Sequence, residues 1–284
     1  MNDTTHLSPA RVRPEQREHR RPPGAAGGSA LHVSVRRAVG NEFAKMRRLR
    51  VAPVTALMVL GVVVLSCVEL VSPTFADAAA DPQGRAWERL LLGMSTAIPL
   101  VSPVLIAVLA SRQVDVEHQG RGWMLSHGAG LAPGRLCRAK LLANGSVLAA
   151  ATGVQSVLVA ATGFAVGIAA PFPVALWLAY SGCVLAVNLV LLALHLLLAA
   201  RWENQLIGTG LGLLGVFLAV IGSGAPRALA HLTPWGYYAL SAPVDYRDAV
   251  LVDVAPSYGG VAALTVAAAA AFALLTARLD RKEI

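Results

Sequence analysis

Six stretches of this chain are apolar for close to twenty residues each, and nothing else in it constrains the fold as strongly. Inside a bilayer no water partners the backbone, so only helices and closed barrels can cross it. A barrel would show alternating segments of about 10 residues, whereas the apolar residues here run in continuous blocks. The chain is 56% hydrophobic and 14% charged, where soluble domains carry about 25% charged residues; its mean hydropathy is +0.60. The expected fold class is all-α, a polytopic membrane protein with six transmembrane helices. The spans fall at about 51–71, 90–110, 141–167, 174–200, 206–222 and 259–277.

The net charge of +8 has two readings, nucleic-acid binding or the excess of Lys and Arg on cytoplasmic loops. The second fits, because the basic residues flank the apolar blocks and no soluble domain carries a basic stripe. With the amino terminus inside, 20 of the 24 Lys and Arg fall on the inner side, and only Arg85, Arg89, Arg227 and Arg247 fall outside. A multi-pass protein of the cell membrane with both termini cytoplasmic is the expectation. Cys67, Cys137 and Cys183 sit in different segments without CxxC spacing, so neither a zinc site nor a disulfide framework is indicated.

Residues 1–30 are polar and rich in arginine, proline and glycine, which predicts a disordered cytoplasmic tail ahead of a membrane domain at 31–284. Within 31–50, Leu31, Val35, Val39, Phe43 and Met46 recur at helical spacing opposite Arg36, Arg37, Lys45, Arg47 and Arg48. An apolar stripe opposite a basic face predicts an amphipathic helix lying on an anionic lipid leaflet before the first span. On the outer side, Ser72 to Glu88 reads as a short polar loop and Pro171-Phe172-Pro173 as a tight turn. Ser223 to Tyr258 mixes Trp235, Tyr237, Tyr238 and Tyr246 with Asp245 and Asp248. That mixture suits the membrane interface and predicts one or two short helices dipping into the outer leaflet.

Gly210 to Gly215 matches G-x-G-x-x-G, but a dinucleotide site needs that motif after a strand. Inside an apolar span the expectation is close helix packing, with Gly208 and Gly212 as a GxxxG pair. Ser181, Asn188 and His195 share one face of the fourth span, and Thr152, Gln155 and Ser156 cluster on the third. Such groups serve either as interhelical hydrogen bonds worth about 0.6–2 kcal/mol each or as a path through the membrane. Gln155, Ser181, Asn188 and His195 are the candidate substrate path. His118 and His127, nine residues apart in a polar segment, read as solvated rather than metal-binding. No metal, no catalytic residue and no cofactor is expected. The chain carries no G-x-S-x-G, H-E-x-x-H or G-x-x-x-x-G-K-[ST], so any ATP would be bound by a partner.

The helix bearing Asn41-Glu42-Phe43-Ala44-Lys45-Met46-Arg47-Arg48 resembles the entry segment of ABC-2-type transporter permeases. Glu117, Gly122-Trp123, Leu125, Arg135 and Ala139-Lys140-Leu141-Leu142 are similar to the first cytoplasmic loop of that family. The likeness is greatest to lantibiotic and bacteriocin self-protection permeases, as Thr233-Pro234-Trp235 also suggests. The resemblance implies a permease subunit, not an enzyme, that pairs with a second permease, identical or different. A separate P-loop ATPase would drive export of an amphiphilic substrate such as an antibiotic peptide or lipid-like molecule. It makes Ser111 to Lys140 the handle that the ATPase moves. Glu117, at a helix start, with Trp123, Met124 and Leu125 would engage the ATPase. Arg135, Arg138 and Lys140 would anchor the third span at the lipid headgroups. Two rivals remain: an intramembrane enzyme using His195, Asn188 and Glu69, and an immunity or sensor protein that needs no ATPase.

Overall fold

The computed structural model describes residues 34–248 and 250–281, so the tail at 1–30 and Leu31 lie outside the described residues. Among the described residues the fold is all-α apart from one hairpin. It begins with α1 (Val35–Arg48), whose Ser34 hydroxyl accepts from the Arg37 amide at 3.4 Å, a normal N-terminal cap. Arg50, at φ 52°, turns the chain into α2 (Val51–Ser66), which ends in a 3-10 turn at Val68–Val71. α3 (Pro73–Ala80) follows, then α4 (Ala86–Gln119), α5 (Gly122–Gly128), α6 (Pro133–Ala165), α7 (Val174–Arg201) and α8 (Gln205–Gly224). The short α9 (Arg227–Ala230) and α10 (Tyr237–Ser241) flank a 3-10 turn at Pro234–Gly236. β1 (Val244–Arg247) and β2 (Val250–Asp253) pair antiparallel before α11 (Tyr258–Arg281). Six of these segments are long and apolar enough to cross a membrane: Val51–Val71, α4, α6, α7, Leu206–Gly224 and α11.

α4 forms the centre of the bundle and packs on α2, α6, α7 and α8. Its first turns bury Trp87, Leu90, Leu91 and Met94. The Trp87 ring meets Phe164, Phe172 and Trp177 edge-on, and its indole N–H donates to the Ala170 carbonyl at 2.9 Å. Those contacts fix the Pro171-Phe172-Pro173 turn between α6 and α7. On the opposite flank α8 reaches α4 through glycine, as expected. A Cβ on Gly212 would collide with Ala107 and come within 3.2 Å of the Pro103 carbonyl.

Three expectations change. Ser72 to Glu88 is no plain loop, because it contains α3, which buries Phe75 and Ala79. The outer segment has its short helices in α9 and α10, but Val244 to Asp253 forms a β-hairpin instead. Arg85, at the start of α4, holds that hairpin through the Leu251 carbonyl at 2.8 Å and the Asp253 carboxylate. The third change is the largest: Ser111 to Lys140 is mostly helix. α4 has 34 residues and α6 has 33, about 50 Å each at 1.5 Å per residue, against about 30 Å of hydrocarbon. Both overrun the bilayer at the same end, where α5 joins them.

Candidate functional site

The overhang is organised by four charges that the sequence keeps far apart. Lys140, on the first turns of α6, is fully buried. Its Nζ donates to Glu42 Oε2, Glu117 Oε1 and the Gln113 carbonyl, each at 2.7 Å. Lys45 donates to Glu42 Oε1 at 2.7 Å and to Glu117 Oε1 at 2.5 Å. Two carboxylates and two ammoniums are therefore neutral as a set, the condition under which charges tolerate burial. Burial works against the Lys45 charge, but the hydrogen bonds to Glu117 and Glu42 outweigh it and hold its pKa above the ordinary lysine value. One turn further into the bundle lie Gln113 and Asn144. Both are fully buried, and the Gln113 amide and Asn144 Oδ1 have no protein partner.

This geometry corrects two of the sequence readings. Lys140 cannot reach lipid headgroups, because all three of its donors are spent inside the protein. Glu117 is in the last turn of α4, not the first turn of a helix, although its Oε2 lies against Gly122, the first residue of α5. A side chain at Gly122 would collide with that carboxylate, so glycine is what lets α5 seat on the cluster. Arg138 is also engaged internally: it donates to Thr276 Oγ1 at 3.0 Å and Asp280 Oδ2 at 2.7 Å on α11. The Arg135 amide donates to Asp280 Oδ1 at 3.1 Å, so Asp280 caps the start of α6. The anchor thus ties α6 to α11.

Within α5 the three expected contact residues separate. Trp123 is half-buried against Ala38 of α1 and Leu136 and Ala139 of α6, with its ring 5.8 Å from that of His118. His118 Nε2–H in turn donates to the Ala199 carbonyl of α7 at 3.0 Å. Trp123 is therefore the root of α5, not its outward anchor. Met124 and Leu125 point out, at 65% and 70% exposure. Residues 129–132 form the turn back into α6.

On α1 the face turned to the bundle is Ala38, Glu42 and Met46, while Val35 and Phe43 stay exposed. Sequence reasoning did not mark Glu42, Lys45, Gln113, Asn144 or Asp280 as site residues. Glu42 carried a signal, being the only acid among the basic residues of α1.

Of the four residues of the candidate substrate path, Ser181 and Asn188 make hydrogen bonds between helices, His195 bonds within α7, and Gln155 is simply buried. Ser181 pairs with Ser156 at 2.8 Å, and Trp177 donates to the same Ser156. Asn188 Oδ1 accepts from the Tyr238 hydroxyl at 2.6 Å, and its amide faces Thr152 at 3.4 Å. His195 Nδ1–H donates to the Leu191 carbonyl at 2.8 Å, with Trp235 edge-on at 6.3 Å. Gln155 is buried on α6. None of the four lines a cavity of about 840 Å³ that lies between Leu92–Leu100 of α4, the end of α8, and the segment from Ala225 to Val254. Glu69 sits in the 3-10 turn after α2, on another element from His195 and Asn188.

Residues 38–219, more than half of the chain, match the family described as ABC-2 family transporter protein. No curated protein and no solved structure matches. The matched range contains all four charges of the buried cluster together with α5.

Proposed function

This chain belongs to the ABC-2 family of transporter proteins, and from that premise we propose that it is the membrane-spanning permease subunit of an ATP-driven exporter. The ATP is bound by a separate P-loop ATPase subunit, and α5 is the element that meets it. One observation carries this reading. Met124 and Leu125 stand exposed on a short helix at the tip of two overlong helices, on a base held by the buried cluster. Exposed apolar side chains on a polar overhang suit a protein groove better than water. The overhang faces the cytoplasm, as the basic residues around it favour, and both termini lie on that side.

Glu117 and Gln113 belong to α4, Lys140 to α6, and Glu42 and Lys45 to α1, so a displacement of α5 is delivered to three helices together. Two permease subunits side by side, identical or different, would alternate a shared pathway between the two faces of the membrane. The cargo is an amphiphile such as an antibiotic peptide or lipid-like molecule, and export would protect the cell from it.

The test is Met124→Asp with Leu125→Asp in the full-length chain, co-expressed with its ATPase. The double variant should insert and unfold at the wild-type temperature but lose co-purifying ATPase and substrate-stimulated ATP hydrolysis. An ATPase that stays bound and a transport rate that stays unchanged would overturn the reading.

A further inference from the structure

The cavity of about 840 Å³ lies toward the end of α4 opposite α5 and plays no part in the coupling. Its volume falls within the range of about 300–1,000 Å³ that small-molecule sites occupy. Leu92, Pro99 and Leu100 of α4 and Ala219 and Val220 of α8 give it apolar walls. The two hydroxyls on the α4 wall do not alter that. Ser95 and Thr96 both donate back to the Leu92 carbonyl, at 2.8 and 3.1 Å, so neither hydroxyl proton is left to a ligand. Leu100 and Val220 are 38% and 46% exposed, so the space opens on the surface of the chain between α4 and α8.

Three residues of the lining are charged. Arg227 and Arg247 contribute two guanidiniums against the single carboxylate of Asp245. Arg247 Nε stands 3.9 Å from Asp245 Oδ2 and both side chains are exposed, too long for a hydrogen bond and worth little as a surface ion pair. Arg227 spends an NH2 donor on the Ala255 carbonyl at 2.5 Å, and a guanidinium has five N–H donors in all. Planar forks of this kind suit phosphate and carboxylate oxygens.

We infer that this cavity binds an anionic amphiphile, with an acyl chain along α4 and α8 and the acidic headgroup at Arg227 and Arg247. That this ligand is cargo rests on the permease reading; the binding itself does not.

The experiment uses the purified full-length chain, without ATPase, in phosphatidylcholine nanodiscs. The probes are dansyl-labelled lysophosphatidylglycerol and its lysophosphatidylcholine counterpart. Wild type should bind the glycerol-headed probe about tenfold tighter, because both probes carry a phosphodiester anion but only the choline headgroup brings a second cation up to the two guanidiniums. Arg227→Gln with Arg247→Gln should abolish that preference, and Arg227→Lys with Arg247→Lys should keep most of it. Ser95→Phe, which fills the apolar wall, should weaken both probes without changing the unfolding temperature. Equal affinity for the two probes, or binding that ignores Ser95→Phe, overturns the inference.

Adding diacyl phosphatidylglycerol to the disc separates the two sources of such a ligand. Displacement of the probe supports the site with a bilayer lipid as occupant. Retention of the probe supports it with a free amphiphile. Failure here leaves the ATPase contact untouched, and failure of Met124→Asp with Leu125→Asp leaves this binding untouched, so the two readings fall separately.

Discussion

Replacing Lys140 with Met removes the one cation that touches both buried carboxylates and the Gln113 carbonyl. The wild-type ammonium makes three hydrogen bonds of 2.7 Å and is fully buried. Without it Glu42 and Glu117, 1% and 2% exposed, share only Lys45, and the set carries one uncompensated negative charge. Breaking a buried pair from one side costs about 3–5 kcal/mol. At about 2–4 °C per kcal/mol for chains of this size, the midpoint should fall by about 6–20 °C. A second variant removes charge symmetrically. Glu117→Gln with Lys140→Met leaves Glu42 and Lys45 as a neutral pair 2.7 Å apart and should recover at least half of the loss. Thermal unfolding with a thiol-reactive dye in a Cys67→Ala background reads both, because Cys67 is partly exposed whereas Cys137 and Cys183 are 1% and 9% exposed and label only when the bundle opens. A Lys140→Met midpoint within about 2 °C of wild type would refute the reasoning. So would a double variant less stable than the single one.

Gly134→Ala should separate α6 from α11, because the added Cβ would collide with the Thr276 carbonyl and lie 2.7 Å from Asp280 Oδ1; faster proteolysis at the end of α11, with α4 and α7 still protected, is the expected readout. Tyr238→Phe removes the 2.6 Å bond to Asn188 and leaves a buried amide oxygen unpaired, a loss of about 1–3 kcal/mol. Its effect should be much smaller in an Asn188→Leu background, as measured by a double-mutant unfolding cycle.

The spans were legible because a block of twenty apolar residues states its own length and leaves the backbone no alternative to helix. The polar residues beyond the end of a span are less constrained. Arg112, Gln113, Asp115 and Glu117 could be a loop or further helix, and only packing against α1 and α6 decides. The hairpin was hidden for a similar reason: Val244 to Arg247 and Val250 to Asp253 are four residues each. At that length alternation is indistinguishable from the aromatic-rich interface around it. The buried cluster was the least legible, since Lys140 and Glu42 are 98 residues apart and every charge in it reads locally as a solvated or headgroup-facing residue. Glycine was read correctly at Gly212, where a neighbouring helix passes close. At Gly122 and Gly134 the same close approach involves residues that meet only in the folded bundle, and no local pattern marks it.

A buried cluster of this kind is weak evidence for stability, because apolar packing of equal volume serves as well or better. Register is the role that fits its placement. α4 and α6 run antiparallel, and Glu117 meets Lys140 where the Gln113 carbonyl also accepts from that lysine. A slip of one turn between the two helices would bring Lys140 opposite the uncharged Gln113 side chain and strand Glu117 without its partner. The apolar residues of the core on these two helices, Leu109 and Leu148 among them, would tolerate the same slip with far smaller loss. The charges therefore fix one alignment that the hydrophobic contacts alone would leave open. In the coupling role proposed for it, α5 can transmit a push only if the alignment beneath it does not yield.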